Sequence, residues 1–153
     1  MQIALYQPDI PQNTGTLLRL GACMNVCVHI IEPTGFNWSE PRLRRAGLDY
    51  TESVDVRRHA SFEAFLDARE SGRLLLLTTK GECDFTAYEY CADDILLLGR
   101  ESAGVPDTVH QLADARLKVP MAPQMRSLNV AIAAAMVLGE ALRQTGGFAE
   151  PVS

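Results

Sequence analysis

The stretch from Val119 to Arg143 limits this chain more than any other. It opens as Val119-Pro120-Met121-Ala122-Pro123-Gln124-Met125-Arg126-Ser127-Leu128-Asn129 and runs on, apolar or small, from Val130 to Leu142. Glu140 is the only charge between Ser127 and Leu142. A helix apolar all round must lie in a core or an interface. The uninterrupted run Val130–Leu138 is too short for a bilayer, which needs about 18 such residues. The loop before it holds two prolines, which fix its shape, beside Arg126 and several polar residues. Ser127 is the expected N-cap, and the positive end of the helix dipole lies behind it. A rigid polar loop on a buried helix suits a ligand; an ordinary core helix with its cap is the plain alternative.

A chain of 153 residues fits one domain with a sizeable core, so residues 1–153 are read as a single domain with a loose tail from 146 to 153. The start, Met1 to Tyr6, lacks the basic and long apolar regions of a signal peptide. No segment is long enough to cross a membrane, so the cytoplasm is the expected location. The net charge of −5 argues against RNA or DNA binding through overall charge. Two local basic clusters remain: Arg42, Arg44 and Arg45, and Arg57, Arg58 and His59. Cys23, Cys27, Cys83 and Cys91 lack the paired spacing of a zinc site and read as free thiols in a reducing compartment. His29 sits in an apolar run and reads as a strand or core residue.

In order, strand signals alternate with helix signals. Strands are expected at Met1–Tyr6, Val26–Ile31, Val54–Val56 (the weakest), Leu74–Thr78, Ile95–Leu98 and Leu117–Val119. Helices are expected at Thr14–Met24, after an Asn13 cap, and from a Ser61 cap, with Phe62, Phe65, Leu66 and the Arg69 stem inward. A third spans Pro106–Ala113, with proline in its first turn. This alternation predicts a parallel α/β sheet with helices on both faces. Ligands of such sheets sit beyond the carboxyl ends of the strands. The loops to watch are therefore Gln7–Gly15, Thr78–Glu82, Gly99–Pro106 and Pro120–Arg126. Arg19, just past the first loop, is a fork-shaped donor for phosphate or carboxylate. The third loop lacks the lysine of a P-loop and the G-x-G-x-x-G of a dinucleotide site. Ser102 fails as a hydrolase elbow because Arg100 stands where a glycine belongs. The residues alone thus give an α/β protein with a ligand pocket built from glycine and proline loops.

Three stretches in order resemble the signature of the SPOUT, or α/β-knot, methyltransferases. They are Pro11-Gln12-Asn13-Thr14-Gly15 with Arg19, Gly99-Arg100-Glu101-Ser102-Ala103-Gly104-Val105-Pro106, and Val119-Pro120-Met121 leading to Arg126-Ser127-Leu128-Asn129-Val130-Ala131. Ile30-Ile31-Glu32-Pro33-Thr34-Gly35-Phe36, Leu43-Arg44-Arg45-Ala46-Gly47-Leu48-Asp49-Tyr50 and Leu77-Thr78-Thr79-Lys80-Gly81 are similar to the minimal TrmL-like (YibK-like) subfamily. The resemblance spans Met1 to about Arg143. Two places depart from the pattern: Gly139, where relatives often have tyrosine, and Val130-Ala131, where many have serine.

The resemblance implies a C-terminal trefoil knot, a feature general topology rules would not propose. It implies transfer of a methyl group from S-adenosylmethionine to the ribose 2′-hydroxyl of the wobble nucleotide, cytidine 34 or modified uridine 34, of leucine tRNAs. The partners would be a tRNA anticodon stem-loop and a second copy of the chain, with the first and last helices across the two-fold. Leu77, Gly99, Val119, Met121, Ser127 and Leu128 would bind the cofactor. Arg19 would anchor a substrate phosphate and stabilise the developing alkoxide, since arginine is too weak an acid to serve as a base. Arg126 would position substrate, and Asn13 and Glu101 would orient their neighbours. No metal is implied. Methylation of another RNA and a non-catalytic nucleotide-binding module are the alternatives.

Overall fold

A computed structural model describes residues 1–39, 41, 45 and 53–150. Arg42, Arg44 and the end of the tail lie outside the described residues; Arg45 is exposed. Strands β1 (Gln2–Tyr6), β2 (Cys27–Ile31), β3 (Val56–His59), β4 (Leu74–Leu77), β5 (Cys83–Asp84), β6 (Ile95–Leu98) and β7 (Ala115–Lys118) form one seven-stranded sheet. Its order is β3-β2-β1-β6-β4-β7-β5, and every pairing is parallel. Helices α1 (Pro11–Met24), α2 (Phe62–Ala68), α3 (Asp107–Leu112) and α4 (Val130–Thr145) flank it.

Alternate side chains of each strand leave on opposite faces. Ile3 and Leu5 of β1 therefore join the core beneath α1 and α4, with Leu17, Leu18, Ala134, Val137 and Leu138. Ala4 and Tyr6 join the other core, beneath α2 and α3, with Phe62, Phe65 and Val109. Covered on both faces, the central strands read as continuous apolar runs; Ile95, Leu96, Leu97 and Leu98 are at most 1% exposed.

Several boundaries differ from expectation, each for a local reason. β3 begins at Val56 rather than Val54 and runs through Arg57 and Arg58; charges on an edge strand discourage edge-to-edge pairing but hide the strand in the sequence. β5 has two residues, too few for a periodic signal. β7 starts at Ala115, two residues earlier than read. Helix α1 starts at Pro11, with proline in its first turn and Ile10 as a cap without a side-chain bond. Asn13 is therefore inside the first turn and is not the cap. In α3 Pro106 is the cap rather than a helical residue. Ser61 caps α2 as expected, its Oγ accepting from the Ala64 N–H at 3.1 Å. Ser127 does not cap α4. Asn129 does: its Oδ1 accepts from the N–H groups of Ala131 at 2.9 Å and Ile132 at 3.3 Å.

The strand order reverses direction around β6, which lies between β1 and β4. Crevices form at such switch points, outside the carboxyl ends of the strands.

Candidate active site

Beyond the ends of β1, β4, β6 and β7 lies a cavity of about 430 Å³. Its lining includes Ile10 and Asn13 after β1, Thr78 and Thr79 after β4, Gly99 to Glu101 and Gly104 after β6, and Met121 after β7. All four loops singled out in the sequence thus converge on one space. Leu77, Gly99, Val119, Met121, Ser127 and Leu128 all line it. So do Asn13 and Glu101. Arg19 and Arg126 do not: both are exposed, Arg19 on the outer face of α1 with Gln12, Thr16 and Cys23.

The loop after β6 is a tight hairpin. Arg100 N–H donates to Gly104 O at 3.0 Å, and Gly104 N–H donates back to Arg100 O at 2.8 Å. Gly104 adopts φ +66°, where a side chain would be strained. A Cβ on Gly99 would stand 2.9 Å from Gly104 Cα, so the hairpin closes only on glycine. At its tip, Ser102 Oγ donates to Asp9 Oδ2.

Glu101 is the hub of a polar chain. Its Oε2 accepts from the Asp9 N–H at 3.1 Å and its Oε1 from Asn13 Nδ2 at 3.4 Å. Asn13 Oδ1 accepts from Asn129 Nδ2 at 3.0 Å. Asn129 Oδ1 then caps α4. The Glu101 carboxyl group beside Asp9 first of all lowers the Asp9 pKa. Burial, then Asp9, raises that of Glu101. Of the two carboxyl groups, Glu101 is therefore the first to take up a proton as pH falls, and Asp9 the last. Asp9 Oδ1 and Arg100 Nε are buried without a partner among the described residues. Sequence reading missed Asp9, Arg100 and Asn129 as parts of this site. The signal for Asn129 was present, since asparagine before an apolar run is a preferred cap.

Residues 1–139 match the family model described as the SpoU rRNA Methylase family. The chain belongs to the SpoU methylase family. Curated relatives in the family align over nearly all of the chain. A tRNA (cytidine(34)-2′-O)-methyltransferase of Beijerinckia indica is 59% identical, the match covering 97% of this chain and 94% of the relative. One of Escherichia coli K12 is 45% identical over 95% and 94%. Among SpoU-type structures, one that addresses 2′-OH methylation of C/U34 on tRNA superposes with a TM-score of 0.89 at 42% identity, covering 94% of both chains. The SpoU methyltransferase AviRb of Streptomyces viridochromogenes, in complex with the cofactor AdoMet, superposes with 0.85 at 25% identity, covering 94% of this chain and 60% of that one. The parallel α/β sheet is that of the SpoU methyltransferases.

Proposed function

We propose that this chain transfers the methyl group of S-adenosylmethionine to the ribose 2′-hydroxyl of nucleotide 34, a cytidine or modified uridine, in leucine tRNAs. The observation that carries the reading is the convergence of the three signature stretches on one cavity. The near-full-length likeness to tRNA (cytidine(34)-2′-O)-methyltransferases supports it.

The residues present fit the cofactor. A cavity of about 430 Å³ falls in the range of small-molecule sites. Leu76, Leu77, Val105, Val119, Met121 and Leu128 give apolar walls for a purine ring, and the Gly99–Gly104 hairpin leaves backbone close at hand. When bound there, S-adenosylmethionine supplies an electrophilic methyl on a sulfonium. The protein's part is alignment of the ribose and disposal of its hydroxyl proton. Asn13, fixed between Glu101 and Asn129, orients the cavity's polar wall. Arg19 and Arg126, outside the cavity, anchor RNA phosphate at its approach, and Arg19 stabilises the developing alkoxide.

That arrangement calls for a second copy of the chain. The outer face of α4 leaves Ile132 54% and Met136 43% exposed. Beside them a Cβ on Gly139 would meet nothing within 4 Å, so another helix has room to approach. A homodimer through α1 and α4 covers this face and sets the Arg19 surface beside a partner. The C-terminal trefoil knot belongs to the same reading. The tRNA anticodon stem-loop is held by local arginines on an acidic chain, so affinity falls steeply with salt. No described helix is long and apolar enough to cross a membrane, and the cytoplasm, where tRNA is found, is the proposed location.

The test is transfer of labelled methyl to tRNA from a strain lacking its own wobble methyltransferase, with modified nucleosides mapped by mass spectrometry. A 2′-O-methylated anticodon nucleotide, lost in Arg19→Ala, is expected. Label at another RNA position would overturn the substrate. Binding of the cofactor without transfer would make this a nucleotide-binding module.

A further inference from the structure

A second cleft, also about 430 Å³, opens on the same edge of the sheet, beyond the ends of β2 and β3. Phe36, Asn37, Trp38 and Arg58 line it, with Glu32 and Thr34. The methyl-transfer cavity uses none of them. Trp38 and Phe36 meet edge to face, their ring centroids 6.0 Å apart. The Arg58 guanidinium lies 4.7 Å from the Trp38 ring centre.

Among the described residues, the charge in this cleft is already balanced. Arg58 pairs with Glu32, so the cleft is poorly suited to a bare phosphate. What it offers is flat surface and, from Arg58 and Asn37, hydrogen-bond donors. The Arg58 side chain remains 50% exposed while one side lies on Trp38. A guanidinium stacked on an aromatic ring presents a second planar face. Trp38 Nε1 is buried with no partner among the described residues, although a buried indole N–H normally finds an acceptor. Asn37 Oδ1 is occupied by Ser39 N–H and Oγ, which leaves its amide N–H groups to donate.

The cleft is also fixed to the first site through backbone. Gly35 N–H donates to Pro8 O at 2.9 Å, and a Cβ on Gly35 would come within 2.6 Å of Asp9 Cβ. Asp9 in turn is bonded to Glu101 and Ser102. A ligand held by Trp38 and Arg58 is therefore held in register with the cavity.

The geometry points to this cleft as a binding site for an unpaired nucleobase of the RNA substrate, a neighbour of the nucleotide that is methylated. Planar stacking on an arginine or aromatic surface, with donors at the edge, is how proteins hold splayed single-stranded bases. The proposal rests on the RNA methyl-transfer reading above, and it adds where the strand is gripped.

Trp38 is the sole tryptophan of the chain, so the cleft carries its own reporter. Unmodified leucine tRNA anticodon stem-loop RNA is titrated into the full-length protein, and tryptophan emission is followed beside a mobility-shift assay. Quenching that saturates with the binding curve is expected. Arg58→Ala weakens RNA binding about tenfold, with cofactor affinity by calorimetry and melting temperature unchanged. Arg58→Lys keeps the charge without the plane and does not rescue. Arg57→Ala, a neighbouring charge on the strand, leaves affinity at the wild-type level. If RNA is bound and methylated while Trp38 emission and Arg58→Ala affinity stay unchanged, the cleft serves another partner, such as a protein, and the proposal is overturned alone. If the wild type neither binds RNA nor transfers methyl, the RNA reading fails and the proposal falls with it.

Discussion

Asn129 donates from Nδ2 to Oδ1 of Asn13 at 3.0 Å, joining residues 116 apart in sequence. The polarity of this bond is dictated from both ends. Asn129 Oδ1 faces the N–H groups of α4 and must accept, so its Nδ2 must donate. Asn13 Nδ2 faces Glu101 Oε1, so its Oδ1 must accept. Asn129→Asp separates the two roles of the residue. The aspartate still caps the helix but confronts Asn13 Oδ1 with a second acceptor. Melting temperature is expected to hold, because Asp and Asn cap equally well, while methyl transfer falls about 10²-fold through loss of alignment. Asn129→Ala loses transfer as well and about 1 kcal/mol of stability. Calorimetry and single-turnover transfer on both variants make the comparison.

Arg73 and Asp94 form an asymmetric ion pair. Asp94 is fully buried and accepts from Arg73 Nε and Nη2, both at 2.8 Å, and from the Cys91 N–H at 2.8 Å. The Arg73 side chain is 40% exposed. Removing the arginine strands a buried carboxylate, whereas removing the aspartate lets the arginine turn to water. Arg73→Ala is therefore expected to cost about 3–5 kcal/mol. Asp94→Asn costs about 1–3 kcal/mol. Urea unfolding of the two variants gives the order, and a reversed order would count against this account.

His29 makes the fold sensitive to acid. It is 6% exposed, its Nδ1 2.9 Å from His59 Nε2 and its Nε2 2.7 Å from Gln2 Oε1. Phe65 packs edge-on against it from α2, and Asp55, Arg57 and Cys27 stand nearby on β2 and the β3 edge. Burial first, then His59 and Arg57, lowers its pKa from 6.5 to about 4. The unfolded chain binds the proton near 6.5 and the folded chain only near 4. Stability is thus fully present above the unfolded pKa and is lost as pH falls through this window, by up to about 1.4 kcal/mol per pH unit. Urea midpoints at pH 7 and pH 5 should differ in the wild type. In His29→Gln the difference should shrink; an unchanged slope would assign it to other groups.

The outer face of α4 is expected to hold the dimer. Ile132→Glu combined with Met136→Glu places charge on residues that face solvent in a single chain. A monomer should tolerate the change with little loss, since exposed substitutions cost within about 0.5 kcal/mol. A dimer should dissociate, halving the mass seen by light scattering and abolishing transfer. Unchanged mass with a normal melting temperature would remove α4 from the interface.

Much of the architecture could be read locally. The runs at Leu74–Leu77 and Ile95–Leu98 announce strands covered on both faces, and the Ser61 cap announces α2. The signature loops pointed to the lining of the cavity, down to Leu77, Gly99 and Val119. Where reading failed, a local rule had more than one solution. Ser127 and Asn129 are both acceptable caps, and Asn129 holds the place in a structure where Asn13 meets its side chain. Asn13 also satisfies the local rule for a cap, but Pro11 begins the helix and leaves the Asn13 amide for the cavity wall.

By itself the sequence determined the parallel sheet, its two-sided cover and the loops that carry polar residues. Side-chain periodicity records burial, and burial repeats along the chain at the spacing of each element. Tertiary structure alone decided which loops meet. The pairing of β6 with both β1 and β4, across about ninety and about twenty intervening residues, brings Asp9, Asn13, Glu101 and Asn129 into one network. It also left Arg19 and Arg126 outside the cavity. Strand order is a contest between distant pairings of similar apolar runs, settled by the packing of the whole core, and no local pattern encodes it.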